Sequence, residues 1–291
     1  MRPPDRLMNW IIFAALSFIW GSSFILMKEG MKALTPYQVA AIRMASAGLL
    51  LLPLALKQMR RLPKNKIGYA VLAGVLGSFV PAFLFCIAET KISSALAGIL
   101  NALTPISVIT IGILFFRSKV TRMQFAGVLI GFAGLCLLFL NKGKIDLTYI
   151  SYSCLVLLAT ISYGLNVNMV NRYLHDVPSM HIATFSFVSL LAPALIILWM
   201  TGYFSLPLAN SDVLFSTGAS ALLGIMGTAV ATILFYVLLK RAGTVFSSLV
   251  TYGIPFVAIF WGMLAGEAIT VMQVACLGII LGGVYVARKK I

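Results

Sequence analysis

The chain has 291 residues, of which 61% are hydrophobic and only 10% are charged, and its mean hydropathy is +1.03. Seven acids cannot cover a water-facing globule of this length. A soluble enzyme, a disordered chain and a nucleic-acid-binding domain are therefore excluded, although the net charge is +15. In a membrane protein such an excess of cations belongs to the cytoplasmic loops.

Apolar runs of about 18 residues or more read as membrane helices, and ten are found. The first, 8–27, is too long for a signal-peptide core and no A-x-A site closes it, so it is expected to stay as a span. It carries Trp20, Ser22 and Ser23. The second, 36–56, contains Arg43, about 10 Å in from its outer end at the helical rise per residue. An intramembrane cation is costly, and it serves either a substrate carboxylate or a structural pair with Glu29, Glu89 or Glu267. The structural pair is the favoured account, and a snorkelled side chain is the third. The third run, 67–88, offers Gly74, Gly77, Ser78, Phe79, Pro81 and Phe83. In the fourth, 93–116, one helix face reads Ser94, Gly98, Asn101 and Pro105.

The fifth run is 121–140, and the sixth, 149–171, holds Tyr163, Asn166 and Asn168. His175, Asp176 and His181 follow at the sixth-to-seventh connection. They are too few for a zinc site and read as loop residues. The seventh run is 179–201. The eighth, 213–239, offers Gly224, Gly227, Thr228 and Thr232. The ninth, 244–265, repeats the face of the fourth as Thr244, Ser248, Thr251 and Pro255, with Tyr252 and Trp261 nearby. The tenth is 271–287. The four cysteines, Cys86, Cys136, Cys154 and Cys276, fall in apolar runs without a C-x-x-C pattern, so neither a metal site nor a disulfide framework is expected.

Sixteen of the 22 Lys and Arg fall on one side of these spans and five on the other, with Arg43 inside one. The positive-inside rule then puts both termini in the cytoplasm, as an even number of spans requires. The chain also repeats itself. A shift of 150 matches Gly74/Gly224, Gly77/Gly227, Phe85/Phe235, Pro105/Pro255 and Gly112/Gly262, and a shift of 149 matches Thr121-x-Met123-Gln124 with Thr270-x-Met272-Gln273. A shift of 143 brings Trp20 onto Tyr163 and Gly21 onto Gly164. Each half has five spans, an odd number, so the halves 1–145 and 146–291 are expected to be inverted copies in one membrane body, with a substrate site between them near mid-membrane.

The pattern F-I-W-G-S-S-F at 18–24, the prolines of the fourth and ninth spans and the G-E-x-x-T-x-x-Q at 266–273 resemble the drug/metabolite transporter superfamily, EamA type. The resemblance covers almost the whole chain in two copies. It implies an all-α membrane protein of ten spans with cytoplasmic termini, which exports or exchanges small metabolites, often amino acids. One departure stands out: the second copy has Gly266-Glu267, whereas the first has Phe116-Arg117-Ser118 where the family usually carries a glutamate.

The candidate cavity residues are Trp20, Ser23, Arg43, Phe79, Phe83, Asn101, Tyr163, Asn166, Thr232, Thr251 and Tyr252. For Asn101 and Thr251 an interhelical hydrogen bond is an equal alternative. The glycines read better as close helix packing. Pro81, Pro105 and Pro255 are candidate hinges, with a static kink as the alternative. No Asp or Glu lies in mid-span, so facilitated transport is simpler than a proton relay. The expected protein is thus a secondary transporter in a bacterial cytoplasmic membrane, exporting an amino acid or similar zwitterion by alternating access. It would work as a monomer, without cofactor, in contact only with lipid and its small-molecule substrate. A proton-coupled antiporter is the main alternative. A channel or an integral membrane enzyme fits less well, because pore-lining charges and convergent catalytic groups are both missing.

Overall fold

A computed structural model describes residues 3–58, 62–140, 149–264 and 270–288. Every regular element among them is helical. Seven stretches are long and apolar enough to cross a membrane: Arg6–Gly30, Pro36–Lys57, Lys64–Ala88, Leu96–Phe116, Ile150–Tyr173, Ser179–Met200 and Ser211–Ala242. They occupy the first to fourth and sixth to eighth apolar runs. The fifth, ninth and tenth runs are carried by shorter apolar helices, Arg122–Leu138, Thr244–Val257 and Val271–Ala287. Large apolar side chains lie bare on the outside, among them Trp199 at 74% and Phe115 at 72% exposure. In water such a surface would aggregate, whereas lipid chains solvate it without cost. The molecule is a multi-pass membrane protein.

The T-x-M-Q motif of the repeat has a structural cause. Thr121 Oγ1 accepts from the Gln124 backbone N–H at 3.2 Å, and Gln124 Oε1 accepts from the Thr121 N–H at 3.0 Å. Thr270 and Gln273 do the same at 3.2 and 2.9 Å. Each pair is a capping box that satisfies two orphan donors where a helix enters the apolar layer. Thr35 and Gln38 form a third at the head of the second span.

Four spans are interrupted, in two matched pairs. In the third span the helices Lys64–Gly74 and Val80–Ala88 are joined by a π-helical turn, Val75–Phe79. In the eighth, Ser211–Gly224 and Ala231–Ala242 are joined by another, Ile225–Val230. The fourth span breaks between Ser94–Asn101 and Thr104–Phe116. The ninth runs from Thr244–Ser248 through a 3-10 segment, Leu249–Gly253, into Ile254–Leu264. Pro105 and Pro255 each sit second in the inner helix of their span, where the missing N–H would have no acceptor within the helix anyway. The expected kinks are therefore breaks. Pro81 follows the first π turn in the same second position, but the eighth span makes its π turn without a proline.

Packing crosses between the halves in matched pairs. The first span lies on the eighth and ninth, and the sixth lies on the third and fourth. The second packs on the seventh, and the fifth on the tenth. Close approach is made by small residues: Gly224 lies against the backbone carbonyl of Arg43, and Gly74 against that of Ser186, where an added Cβ would stand 2.9 Å away. At one end of the bundle, Lys66 Nζ donates to Tyr173 O at 2.6 Å and pairs with Asp176 at 3.2 Å. Lys240 Nζ donates to Val177 O on the same connection. That segment is thereby tied to the third and eighth spans together. Asp176 belongs to this tie, and Lys66 holds its exposed carboxyl below the usual carboxylate range.

Candidate functional site

The third, fourth, eighth and ninth spans are the broken ones, and their breaks surround a cavity of about 100 Å³. An engineered void of that order takes a benzene-sized group. Its lining includes Trp20, Ser23, Arg43, Asn101, Tyr163, Asn166, Thr232 and Thr251, eight of the eleven residues expected from sequence. Phe79, Phe83 and Tyr252 are not part of it. The rings of Phe79 and Phe83 lie 4.9 Å apart and pack against the apolar cluster around the second and seventh spans. The Tyr252 ring is fully buried, lies against Gly131, and its hydroxyl donates to Val128 O at 2.9 Å. The reason is the local winding. In a 3-10 segment residues three apart share a face, so Ser248, Thr251 and Ile254 turn to the cavity while Tyr252 turns to the fifth span.

The walls are built from repeat-related residues. Gly77 lies against the Asn166 side chain, and Gly227 against Ser23, where a Cβ would stand 2.7 Å from the hydroxyl. The rings of Trp20 and Phe235 are 5.4 Å apart, and those of Tyr163 and Phe85 are 6.4 Å apart. Trp20 Nε1 donates to the carbonyl of Gly227, 3.1 Å away inside the π turn. A π turn re-aims its carbonyls out of the usual ladder, and here a cavity residue takes one of them.

The polar groups divide into satisfied and free. Ser23 donates to Ile19 O at 2.8 Å, Thr251 to Ser248 O at 3.1 Å and Thr104 to Asn101 O at 2.6 Å, so these hydroxyls are tied to their own helices. Asn166 donates through Nδ2 to the Tyr236 hydroxyl at 3.4 Å, but its Oδ1 is buried without a partner. Arg43 Nε donates to Thr228 Oγ1 at 2.5 Å. The carboxylates expected to pair with Arg43 are otherwise engaged or outside the described residues. Glu29 pairs with Lys32 at 2.6 Å, Glu89 accepts from Ser94 at 3.0 Å, and Glu267 lies outside the described residues. Among the described residues Arg43 forms no ion pair, so the favoured structural pairing is not what these residues display.

A model of the EamA-like transporter family matches residues 8–140 and again 150–288. The chain belongs to the EamA-like transporter family. It is 26% identical over 271 residues to the Escherichia coli inner membrane transporter YedA, covering 92% of this chain and 86% of that one. It is 28% identical over 275 residues to a Chlamydia muridarum protein named S-adenosylmethionine/S-adenosylhomocysteine transporter, covering 87% and 82%. It is 23% identical to a transporter of Archaeoglobus fulgidus over 97% of this chain and 99% of that one. A crystal structure at 18% identity shares the fold with a TM-score of 0.71 over 99% of this chain.

In this EamA-like chain the structure gives Arg117 a backbone task. Arg117 adopts a left-handed conformation, φ 53°, and the next residue, Ser118, returns its N–H to Gly112 O at 2.9 Å, closing the fourth span. Sequence reasoning passed over Phe24, Met27, Phe85, Thr104, Phe235 and Tyr236 as lining residues. Phe85 and Phe235 did leave a signal, since they coincide in the repeat. Thr104 follows from the break after Asn101, and nothing in composition marks Tyr236. Glu89, at the outer end of the third span, is 8% exposed and keeps Oε1 without a partner. Burial pushes its carboxyl up to about 7, with Ser94 and Lys28 opposing the rise.

Proposed function

We propose that this EamA-like protein is a secondary transporter that moves a small metabolite, an amino acid or similar zwitterion, out of a bacterial cell. It acts from the cytoplasmic membrane as ten spans with both termini inside. The observation that carries the reading is the cavity lined from both halves by repeat-related pairs, at the breaks of four spans. Inverted halves have two arrangements of similar energy, one open to each side, and a site between them is exposed alternately. The cavity forms within one chain, so a monomer suffices. The Chlamydia relative is named for two amino-acid derivatives, which supports the zwitterionic class. The relative YedA is named an inner membrane transporter, which supports the location.

Among the described residues no carboxylate lines the cavity, which favours facilitated flow down the substrate gradient. The proton-coupled reading has one observation of its own. Glu89 titrates near neutral pH beside Lys28, at the rim of the same bundle. The deciding experiment uses proteoliposomes loaded with radiolabelled amino acids at equal pH on both sides. Saturable exchange without a pH difference is expected. Movement only under an imposed pH difference would replace the facilitator with an antiporter, and unsaturable flux would replace both with a channel.

A further inference from the structure

Arg43 is half-buried, lines the cavity, and sits about a third of the way along the membrane-spanning helix Pro36–Lys57. A guanidinium carries five N–H donors in a planar fork. One of them is spent on Thr228, and among the described residues the others meet no carboxylate. A desolvated cation without a counter-charge is among the most expensive groups a protein can hold, so such a group calls for an anion from outside the chain. A second unmet demand lies in the wall of the same space, closed off from it in this arrangement. Asn166 is 4% exposed and lines the cavity, with Oδ1 lacking any donor.

The two demands are of opposite kind and come from different halves. At the position matching Arg43 against its facing glycine, the second half has Ser186, whose hydroxyl is already spent on Ala70 O at 2.6 Å. The walls are nearly symmetric, but the cation is not. A molecule entering this space therefore meets one charged side, on the second span.

Resting on the transporter reading above, we infer that Arg43 receives the carboxylate of the substrate through its free N–H groups, on the second-span side of the cavity. The aromatic pairs Trp20–Phe235 and Tyr163–Phe85 then flank the remainder of the molecule. The guanidinium fork matches the two oxygens of a carboxylate, and an uncharged carboxamide offers only one acceptor and no charge. The transported class is thus amino-acid-type carboxylates, and the same compounds with the carboxyl blocked are refused.

The test uses L-phenylalanine, L-leucine and L-threonine, each beside its carboxamide. Binding is read as protection of the full-length protein against heat in detergent, and transport as counterflow in liposomes loaded with the same probe. At least one acid should bind and exchange, with its carboxamide weaker by about tenfold or more. Arg43→Gln should lose that preference, and Arg43→Lys, which keeps the charge without the fork, should retain part of it. Equal binding of acid and carboxamide by the wild-type protein overturns the inference, as does binding of none of the acids. An Arg43→Gln protein that holds the acid as tightly as wild type overturns it too. If Arg43→Gln does not fold, the wild-type comparison of acid with carboxamide decides alone. A probe that binds with carboxylate preference but never exchanges sinks the transporter reading and leaves the carboxylate site. A probe that exchanges equally well as acid and as amide does the reverse.

Discussion

Thr251 and Tyr252 are neighbours in the chain with different surroundings, and the contrast separates affinity from stability. Thr251 faces the cavity with its proton given to Ser248 O, so it can only accept from a substrate, and Thr251→Ala should weaken binding by the roughly 2- to 12-fold that one hydrogen bond of about 0.5–1.5 kcal/mol represents. Tyr252→Phe removes a second donor from the Val128 carbonyl, which lies inside its own helix, and should cost about 0.5–1.5 kcal/mol of stability while affinity holds. Isothermal titration and thermal melts of both variants check the pair of outcomes. Glu89 gives a pH signature. Its carboxyl is raised from 4.5 to about 7, so the native state favours the protonated form. The associated stability is complete below about pH 4.5 and is lost as pH rises through about 7, a difference of about 3 kcal/mol at most. Melting midpoints of wild type should therefore fall between about pH 5 and pH 8, and Glu89→Gln should flatten that fall. An identical slope in the variant would remove Glu89 as its source. At this scale the sequence made Trp20, Tyr163 and Asn101 legible through their matched positions. Tyr252 stood out only as an aromatic at comparable depth, and depth does not say which way a ring turns: it lies against the fifth span and not in the cavity lining.

The spans were legible as apolar runs, since length and hydropathy are properties of composition. Their interruptions were legible only in part. Pro105 and Pro255 announced a disturbance in the fourth and ninth spans, and helix breaks stand there. The π turns of the third and eighth spans left no such mark, because a wider turn is chosen by packing and not by any residue type. The prolines also carry an expectation about motion. If the breaks act as hinges, Pro105→Ala and Pro255→Ala should slow turnover more than they weaken binding. Single-turnover counterflow beside equilibrium binding separates the two, and unchanged turnover in both variants leaves static breaks.

For the molecule as a whole, the proposed orientation rests on the distribution of cations. Cysteines placed at Lys64 and Lys66, and at Lys240 and Arg241, should label only from the cytoplasmic side. Labelling of both pairs from outside intact cells would reverse the topology. These positions also flank the Lys66–Asp176 and Lys240–Val177 ties, so labelling reads the same end of the bundle at which the sixth-to-seventh connection is fastened.

A π turn also has a consequence for chain length. It holds one residue more than the α-turn it replaces, so the third and eighth spans each carry a surplus residue at the same depth. Removing that residue lets the turn close as ordinary α-helix: the flanking helices keep their faces, and the carbonyls of the turn return to the helical ladder. Deleting Met226 alone should take the Gly227 carbonyl back into the ladder and away from Trp20 Nε1, and deleting Leu76 alone should close the matching turn at Gly77, against Asn166. Either single deletion should leave helical content intact by circular dichroism and abolish transport. Substituting alanine at the same two positions, which keeps the count, should leave transport active. The surplus residue is then read by its presence and not by its side chain.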